Sequence, residues 1–251
     1  MKRGDEMRHS VEPGIRALLV SDDPPTIEQL SDSLKNLAAS THVCTDVQSA
    51  IRLLSTRKFE TVVVDLELGE QAGVVLERVR LSPSNRTTVA FAITSSTQEA
   101  AKAFNAGSNF VLERPLSTRS VGRTLQIAYG LIIRERLRYF RCAVSLPGIY
   151  LNEERGKIDC CVVNVSEGGL AITTPVALKP GSGVCVQFRI PGGGTQFAVQ
   201  SEVCWHDEKG RAGLRFVSPS PEQIGELREW LSKQLETSLP QSVAEKFRTY
   251  T

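Results

Sequence analysis

The chain has 251 residues, 41% hydrophobic and 23% charged, a composition of folded domains rather than of a fibrous or low-complexity chain. Lys and Arg outnumber Asp and Glu by only 30 to 28, so no global basic field argues for a nucleic-acid polymer or an anionic membrane as partner. The length accommodates one large or two ordinary domains.

Six cysteines (Cys44, Cys142, Cys160, Cys161, Cys185, Cys204) contain no CxxC pair, and only three histidines accompany them, so the usual zinc spacings are absent. Most of these cysteines fall in apolar strand-like runs, which predicts buried free thiols and a reducing compartment. Cys160 and Cys161 are adjacent in a strand pattern and should face opposite sides, against a redox pair. No run approaches the ~18 apolar residues of a membrane span, and the start of the chain lacks the apolar core of a signal peptide. The expected location is cytoplasmic.

Residues 1–14 are polar and read as a disordered tail. A strand at 16–20 ends in Ser21-Asp22-Asp23. Pro24 and Pro25 then open a helix, where a missing N–H costs nothing, with Ile27, Leu30, Leu34 and Leu37 at helical spacing. A short strand at 42–45 precedes Asp46, a capping residue for a helix carrying Val47, Ile51 and Leu54. Segment 60–66 is a nearly continuous apolar strand, the pattern of a strand covered on both faces. A helix at 72–79, a strand at 88–94, a helix at 98–106 stopped by Gly107, and a strand at 109–112 follow. Another helix starts near Thr118. Five βα units predict an α/β domain over 15–130, a doubly wound five-stranded parallel sheet. Reactive groups of such folds lie outside the carboxyl ends of the strands, here Ser21-Asp22-Asp23, Asp65, Thr94-Ser95 and Arg114-Pro115.

That constellation resembles the receiver domain of bacterial response regulators. The resemblance implies a phosphorelay in which Asp65 accepts a phosphoryl group from a sensor histidine kinase, Thr94 and Arg114 support it, and Asp22 and Asp65 hold Mg²⁺. A carboxylate nucleophile needs a hard cation and a basic group to screen the incoming phosphate. Two positions depart from the pattern. Ser21 stands where the first acid is expected, with Asp23 nearby, and Arg114 stands where a lysine is expected, a longer and planar cation.

The fifth helix continues without a breaker through Val121, Leu125, Ala128 and Ile132 into the basic run 134–141, so 131–141 reads as a helical linker. From Cys142 the apolar period becomes two. Strands are expected at 142–151 with an interruption at Pro147-Gly148, then at 158–163, 170–174, 184–190, 197–205 and 212–216. Turns fall at 153–156, Pro180-Gly181, 191–194 and Lys209-Gly210. Short strands with regular turns predict a small antiparallel β-barrel over 142–237. Gly192-Gly193-Gly194 reads as a hairpin turn, since no helix or Lys-Ser/Thr follows it. Trp205 reads as a core residue in preference to a ligand-stacking one; His206, at a turn without metal partners, reads as solvated. Pro221 opens a closing helix bearing Ile224, Leu227, Trp230, Leu231 and Leu235, and 238–251 is a polar tail.

The hexapeptide Asn164-Val165-Ser166-Glu167-Gly168-Gly169 joins two of these strands. Its Asn and Ser can bond local backbone, and its glycines permit close approach. Upstream, Arg134, Arg136, Arg138 and Arg141 place guanidinium groups that suit phosphate and the O6/N7 edge of guanine. Together these stretches resemble the PilZ domain, a barrel that binds cyclic di-GMP through RxxxR followed by [D/N]xSxxG. The second motif matches at Asn164, Ser166 and Gly169. In the first, Arg134 and Arg138 have the literal spacing, whereas Arg141 sits better in the place of the second arginine. That leaves Leu137, flanked by Arg136 and Arg138, at the partner position.

The resemblance implies cyclic di-GMP as ligand, with Arg136, Arg138, Arg141, Asn164, Ser166, Gly168 and Gly169 as its contacts. It further implies a regulator without enzymatic activity, whose ligand rearranges the domains or changes binding to a protein target, and a homodimer through the receiver face that includes the fifth helix. The alternative is an interaction adapter with a degenerate receiver and a barrel that has lost its nucleotide, which Leu137 favours.

Overall fold

The computed structural model describes residues 14–152, 156–192 and 196–238. The tails expected at 1–14 and 238–251, the turn at 153–156 and the glycine run 192–194 lie wholly or mostly outside them. The chain divides into two compact units, the first running to Ile132 and the second from Ile133 to Thr237.

In the first unit, β1 (Ile15–Val20), α1 (Pro24–Lys35), β2 (Ala39–Cys44), α2 (Val47–Thr56) and β3 (Thr61–Asp65) are followed by a 3-10 turn at Leu66–Leu68. Then come α3 (Ala72–Leu81), β4 (Val89–Thr94), α4 (Thr97–Asn105), β5 (Phe110–Glu113) and α5 (Thr118–Tyr139). The five strands are parallel in the order β2-β1-β3-β4-β5. β3 and β4 are buried along their whole length, as the unbroken apolar runs TVVVD and VAFAIT require. Helix starts follow local chemistry: Asp23, Asp46 and Ser96 accept from the backbone N–H of Thr26, Ser49 and Glu99. The strand order reverses direction between β1 and β3, which opens a crevice at their carboxyl ends.

The second unit takes the last turns of α5, then β6 (Cys142–Asn152), β7 (Gly156–Ser166), β8 (Gly169–Thr173), β9 (Gly183–Arg189), β10 (Gln196–His206), β11 (Arg211–Phe216) and α6 (Pro221–Ser238). The six strands close an antiparallel barrel in the order β10-β11-β8-β7-β6-β9. Tyr150, Val162, Val165, Ile172, Val186, Phe188, Phe197 and Val203 fill it. α6 buries Leu227, Trp230, Leu231 and Leu235.

Three expectations are corrected. Pro147-Gly148 does not interrupt β6. At Pro147 the strand pairs with β7 only, and pairing with β9 begins at Gly148, so no N–H is missed on that side. Only Cys44 is buried outright; Cys204 is exposed and the remaining four thiols are half-buried. Trp205 is not a core residue, being 45% exposed. Among the described residues no helix is long and apolar enough to cross a membrane.

Candidate functional site

Two sites were expected, one in each unit. In the first unit, Asp65 ends β3 and is 1% exposed. Its Oδ2 accepts from Ser21 Oγ at 2.7 Å and from Arg114 Nη2 at 2.7 Å. Its Oδ1 accepts from the Glu67 N–H at 3.2 Å. Arg114 follows β5, held by its own N–H donating to Thr94 O at 2.9 Å. Its Nε lies 3.0 Å from Glu67 Oε2, an ion pair by distance without hydrogen-bond alignment. Nη1 donates to Thr26 Oγ1 at 3.1 Å and lies 3.8 Å from Asp23 Oδ2. One guanidinium therefore stands among three carboxylates. Asp23 is also occupied as the α1 cap, and the Thr26 hydroxyl, ahead of the cost of burial, holds its carboxyl below the ordinary value. Asp22 is exposed. The Thr94 hydroxyl is buried and has no hydrogen-bond partner among the described residues.

In the second unit, the cleft is made by two irregular strand pairs and the end of α5. A bulge in β7 between Val162 and Asn164 shifts the pairing with β8. Val162 and Val165 both enter the core, and Asn164 and Ser166 share the other face. Ser166 Oγ donates to Gly169 O at 2.9 Å and closes the turn. Phe216 N donates to Gly168 O at 3.0 Å, tying that turn to β11. Glu167, inside the turn, accepts from Arg228 Nε of α6 at 2.7 Å.

A second bulge lies between Val203 and Trp205 on β10. Val203 faces the core, and Cys204 and Trp205 are both exposed. A cleft of about 370 Å³ results, lined by Arg138 and Arg141, by Asn164, Ser166, Gly168 and Gly169, and by Trp205 and Arg215. Arg138 Nε is 3.7 Å from Glu135, and Arg215 Nη2 is 2.6 Å from Glu202.

These two arrangements have counterparts in known families. The family profile described as "Response regulator receiver domain" matches residues 17–126. The profile described as "PilZ domain" matches residues 135–233. The chain carries a receiver domain followed by a PilZ domain.

Similar solved structures include the receiver domain of a sensor histidine kinase of Pseudomonas aeruginosa, with magnesium coordinated in its active-site cleft. It is 22% identical and covers 47% of this chain and 98% of its own, with a TM-score of 0.42. A putative response regulator of Chloroflexus aurantiacus is 18% identical, covers 48% of this chain and 99% of its own, and has a TM-score of 0.44. The inhibitor of motility of Bacillus subtilis is 21% identical over 39% of this chain and 51% of its own, with a TM-score of 0.33. A search of curated proteins found no match.

In the receiver domain, Asp65, Thr94 and Arg114 come together at neighbouring strand ends, and Glu67 joins them. No sequence pattern singled out Glu67, although its place two residues after Asp65 was a usable signal. Among the described residues no three His, Cys, Asp or Glu side chains gather as a metal-ligating group. As arranged, Asp65, Glu67 and Asp23 surround the Arg114 guanidinium.

In the PilZ domain, Arg138, Arg141, Asn164, Ser166, Gly168 and Gly169 line one cleft. Arg136 does not line it and is 3% exposed. The two glycines differ. A Cβ on Gly168 would meet nothing within 4 Å, whereas one on Gly169 would lie 2.1 Å from Leu214 O. Gly169 is required by barrel closure and Gly168 leaves the cleft open.

Proposed function

We propose that the chain is a cyclic di-GMP-responsive signalling protein of response-regulator type. Its nucleotide enters the PilZ cleft and changes the domain arrangement or the protein partners of the chain. The observation that carries this reading is the convergence in one cleft of Arg138, Arg141, Asn164, Ser166 and Gly168. Guanidinium groups recognise phosphate and the guanine O6/N7 edge, the polar β7 pair offers further hydrogen bonds, and Gly168 leaves room for close approach. Arg138 lies in α5, the helix that begins in the receiver domain, so the ligand contacts part of an element common to both units.

Calorimetric titration of the whole chain with cyclic di-GMP, with GTP as control, tests this. Micromolar or tighter binding, lost in Arg141→Ala, is the expected result. No heat at high ligand concentration, or unchanged affinity in Arg141→Ala, overturns it.

Three observations favour an adapter as the second reading. Leu137 is buried at the expected partner position of Arg141, and Arg136 lies away from the cleft. Asp65, the candidate phosphoryl acceptor, is already held by Arg114 and Ser21. Intact mass after treatment with acetyl phosphate separates the roles. A phosphoryl addition to the chain but not to Asp65→Asn assigns the acceptor, and no addition leaves the receiver as a docking module for a protein target.

A further inference from the structure

Between α3 and α4 the receiver domain carries a groove of about 480 Å³ that shares no lining residue with the Asp65 site. Gly69, Gly73 and Glu77 on the α3 side and Glu99, Ala103 and Ala106 on the α4 side recur every three or four residues, so each helix turns one face to it. The floor is small and apolar: Ala103 is buried, and Leu66, Gly73 and Ala106 are half-buried. A Cβ at Gly69 or Gly73 would meet nothing within 4 Å, so both glycines leave the groove open. From Glu99 to Ala106 it runs about 10 Å along α4, room for two turns of another helix.

The rim is acidic. Glu70, Glu77 and Glu99 border the groove against one ammonium, Lys102, in a chain whose net charge is +2. Among the described residues none of these three glutamates forms an ion pair. Among the same residues no three acids gather as a metal-ligating group, so the charge is strung along the groove instead of focused on one ion. Val74, next to Gly73, and Phe104, next to Ala103, add exposed apolar side chains on the same two helices.

A small, apolar floor between two helices accepts the apolar ridge of a third. Carboxylates on both banks attract a cationic flank on either side of that ridge and repel an acidic one. A small polycation would satisfy the carboxylates and leave the floor, Val74 and Phe104 uncovered.

We propose that the α3–α4 groove is a docking surface for a basic amphipathic helix of a partner protein. The partner's apolar side chains lie against Gly73, Ala103 and Ala106, and its Lys or Arg side chains against Glu70, Glu77 and Glu99. This concerns the receiver domain alone and does not depend on what fills the barrel cleft. One bank is tied to the Asp65 site: Ser95, whose N–H donates to Glu99 at 2.8 Å, donates its hydroxyl to Glu67, and Glu67 pairs with Arg114. An occupant that draws Glu99 away therefore acts on the residue that holds Asp65.

The test is a titration of the ¹⁵N-labelled whole chain with a synthetic helical peptide of Leu, Ala and Lys, its Leu at i, i+3, i+4 and i+7 and its Lys on both flanks. Saturable shifts at the groove residues of α3 and α4 are expected, with a Kd below about 1 mM. The same peptide with Glu for Lys should not bind. Affinity should fall about tenfold or more in the doubly substituted Glu70→Lys, Glu77→Lys chain and in Gly73→Leu. Gly73→Leu fills the groove without altering a charge, and it puts a better helix former where nothing crowds it, so thermal unfolding should be unchanged or later. Four outcomes overturn the proposal. The first is no saturable shift with the Lys peptide. The second is native affinity in Gly73→Leu, which means attraction to surface charge alone. The third is spermidine shifting Gly73, Ala103 and Ala106 as strongly as the peptide does, which makes the groove a small-polycation site. The fourth is self-association of the native chain that Gly73→Leu abolishes, which makes a second copy the occupant.

Discussion

Substituting alanine at Gly169 and, separately, at Gly168 distinguishes what the two glycines of the motif do. The Cβ added at Gly169 would lie 2.1 Å from Leu214 O and 3.1 Å from Arg215 Cα, both backbone atoms of the paired strand β11. An ordinary carbon–oxygen contact is about 3.3–3.6 Å, so β8 and β11 must separate by roughly 1.2 Å at the point where Gly169 pairs with Arg215. That movement costs about 1–3 kcal/mol in overpacking, and strains or breaks the nearby Phe216 N to Gly168 O bond of 3.0 Å, worth about 1 kcal/mol. The sum, about 2–4 kcal/mol, should lower the barrel's thermal midpoint by roughly 10–20 °C. Gly168→Ala meets nothing within 4 Å and should shift the midpoint by no more than a degree or two while reducing nucleotide affinity. Thermal unfolding followed by near-ultraviolet circular dichroism, with calorimetry for the ligand, reads both. A native midpoint in Gly169→Ala, or a Gly168→Ala variant that unfolds as early as Gly169→Ala, would refute the argument.

Arg114→Ala strips the guanidinium from an almost fully buried carboxylate and leaves it only the Ser21 hydroxyl and one backbone N–H; the receiver should lose about 2–3 kcal/mol in denaturant unfolding, with a smaller loss in Arg114→Lys. A loss below about 0.5 kcal/mol in Arg114→Ala would contradict this. Asp23→Ala should lower the receiver's thermal midpoint at neutral pH by removing the α1 cap. Because the folded carboxyl titrates below its ordinary value, that stabilisation is complete above the unfolded value and disappears as pH falls through the folded one, so the two melting curves should converge in strong acid. Burial, with smaller contributions from Cys161 and Asp159, pushes the Cys160 thiol up to about 11. On the order of one molecule in several thousand is then thiolate at pH 7.5, and alkylation followed by peptide mass mapping should find exposed Cys204 modified well before Cys160. Equal rates would count against it.

The parallel sheet was legible because its strands are covered on both faces and read as apolar runs between helices with polar caps. Asp65, Thr94 and Arg114 followed from their places at strand ends. What the sequence hid was local irregularity. Bulges change side-chain parity without any marker in composition, so Trp205 read as core when it lines the cleft. Pro147 read as a break because one-dimensional pattern does not say which edge of β6 is unpaired there. Arg136 and Arg138 are two residues apart on one helix, about 200° around its axis, and only Arg138 faces the cleft; a count of arginines in a basic run ignores that rotation. Gly168 and Gly169 look alike in sequence, and only the backbone across from each separates them.

The ion pair between Arg228 and Glu167 joins α6 to the turn that lines the nucleotide cleft. Whatever fills the cleft and whatever takes hold of α6 therefore act on one short piece of backbone. Linkage makes such an arrangement symmetric: a protein that grips α6 about tenfold better when nucleotide is present raises nucleotide affinity by the same factor. An affinity measured on the chain alone is then a baseline, which any protein that grips α6 differently with and without ligand would shift by that same factor.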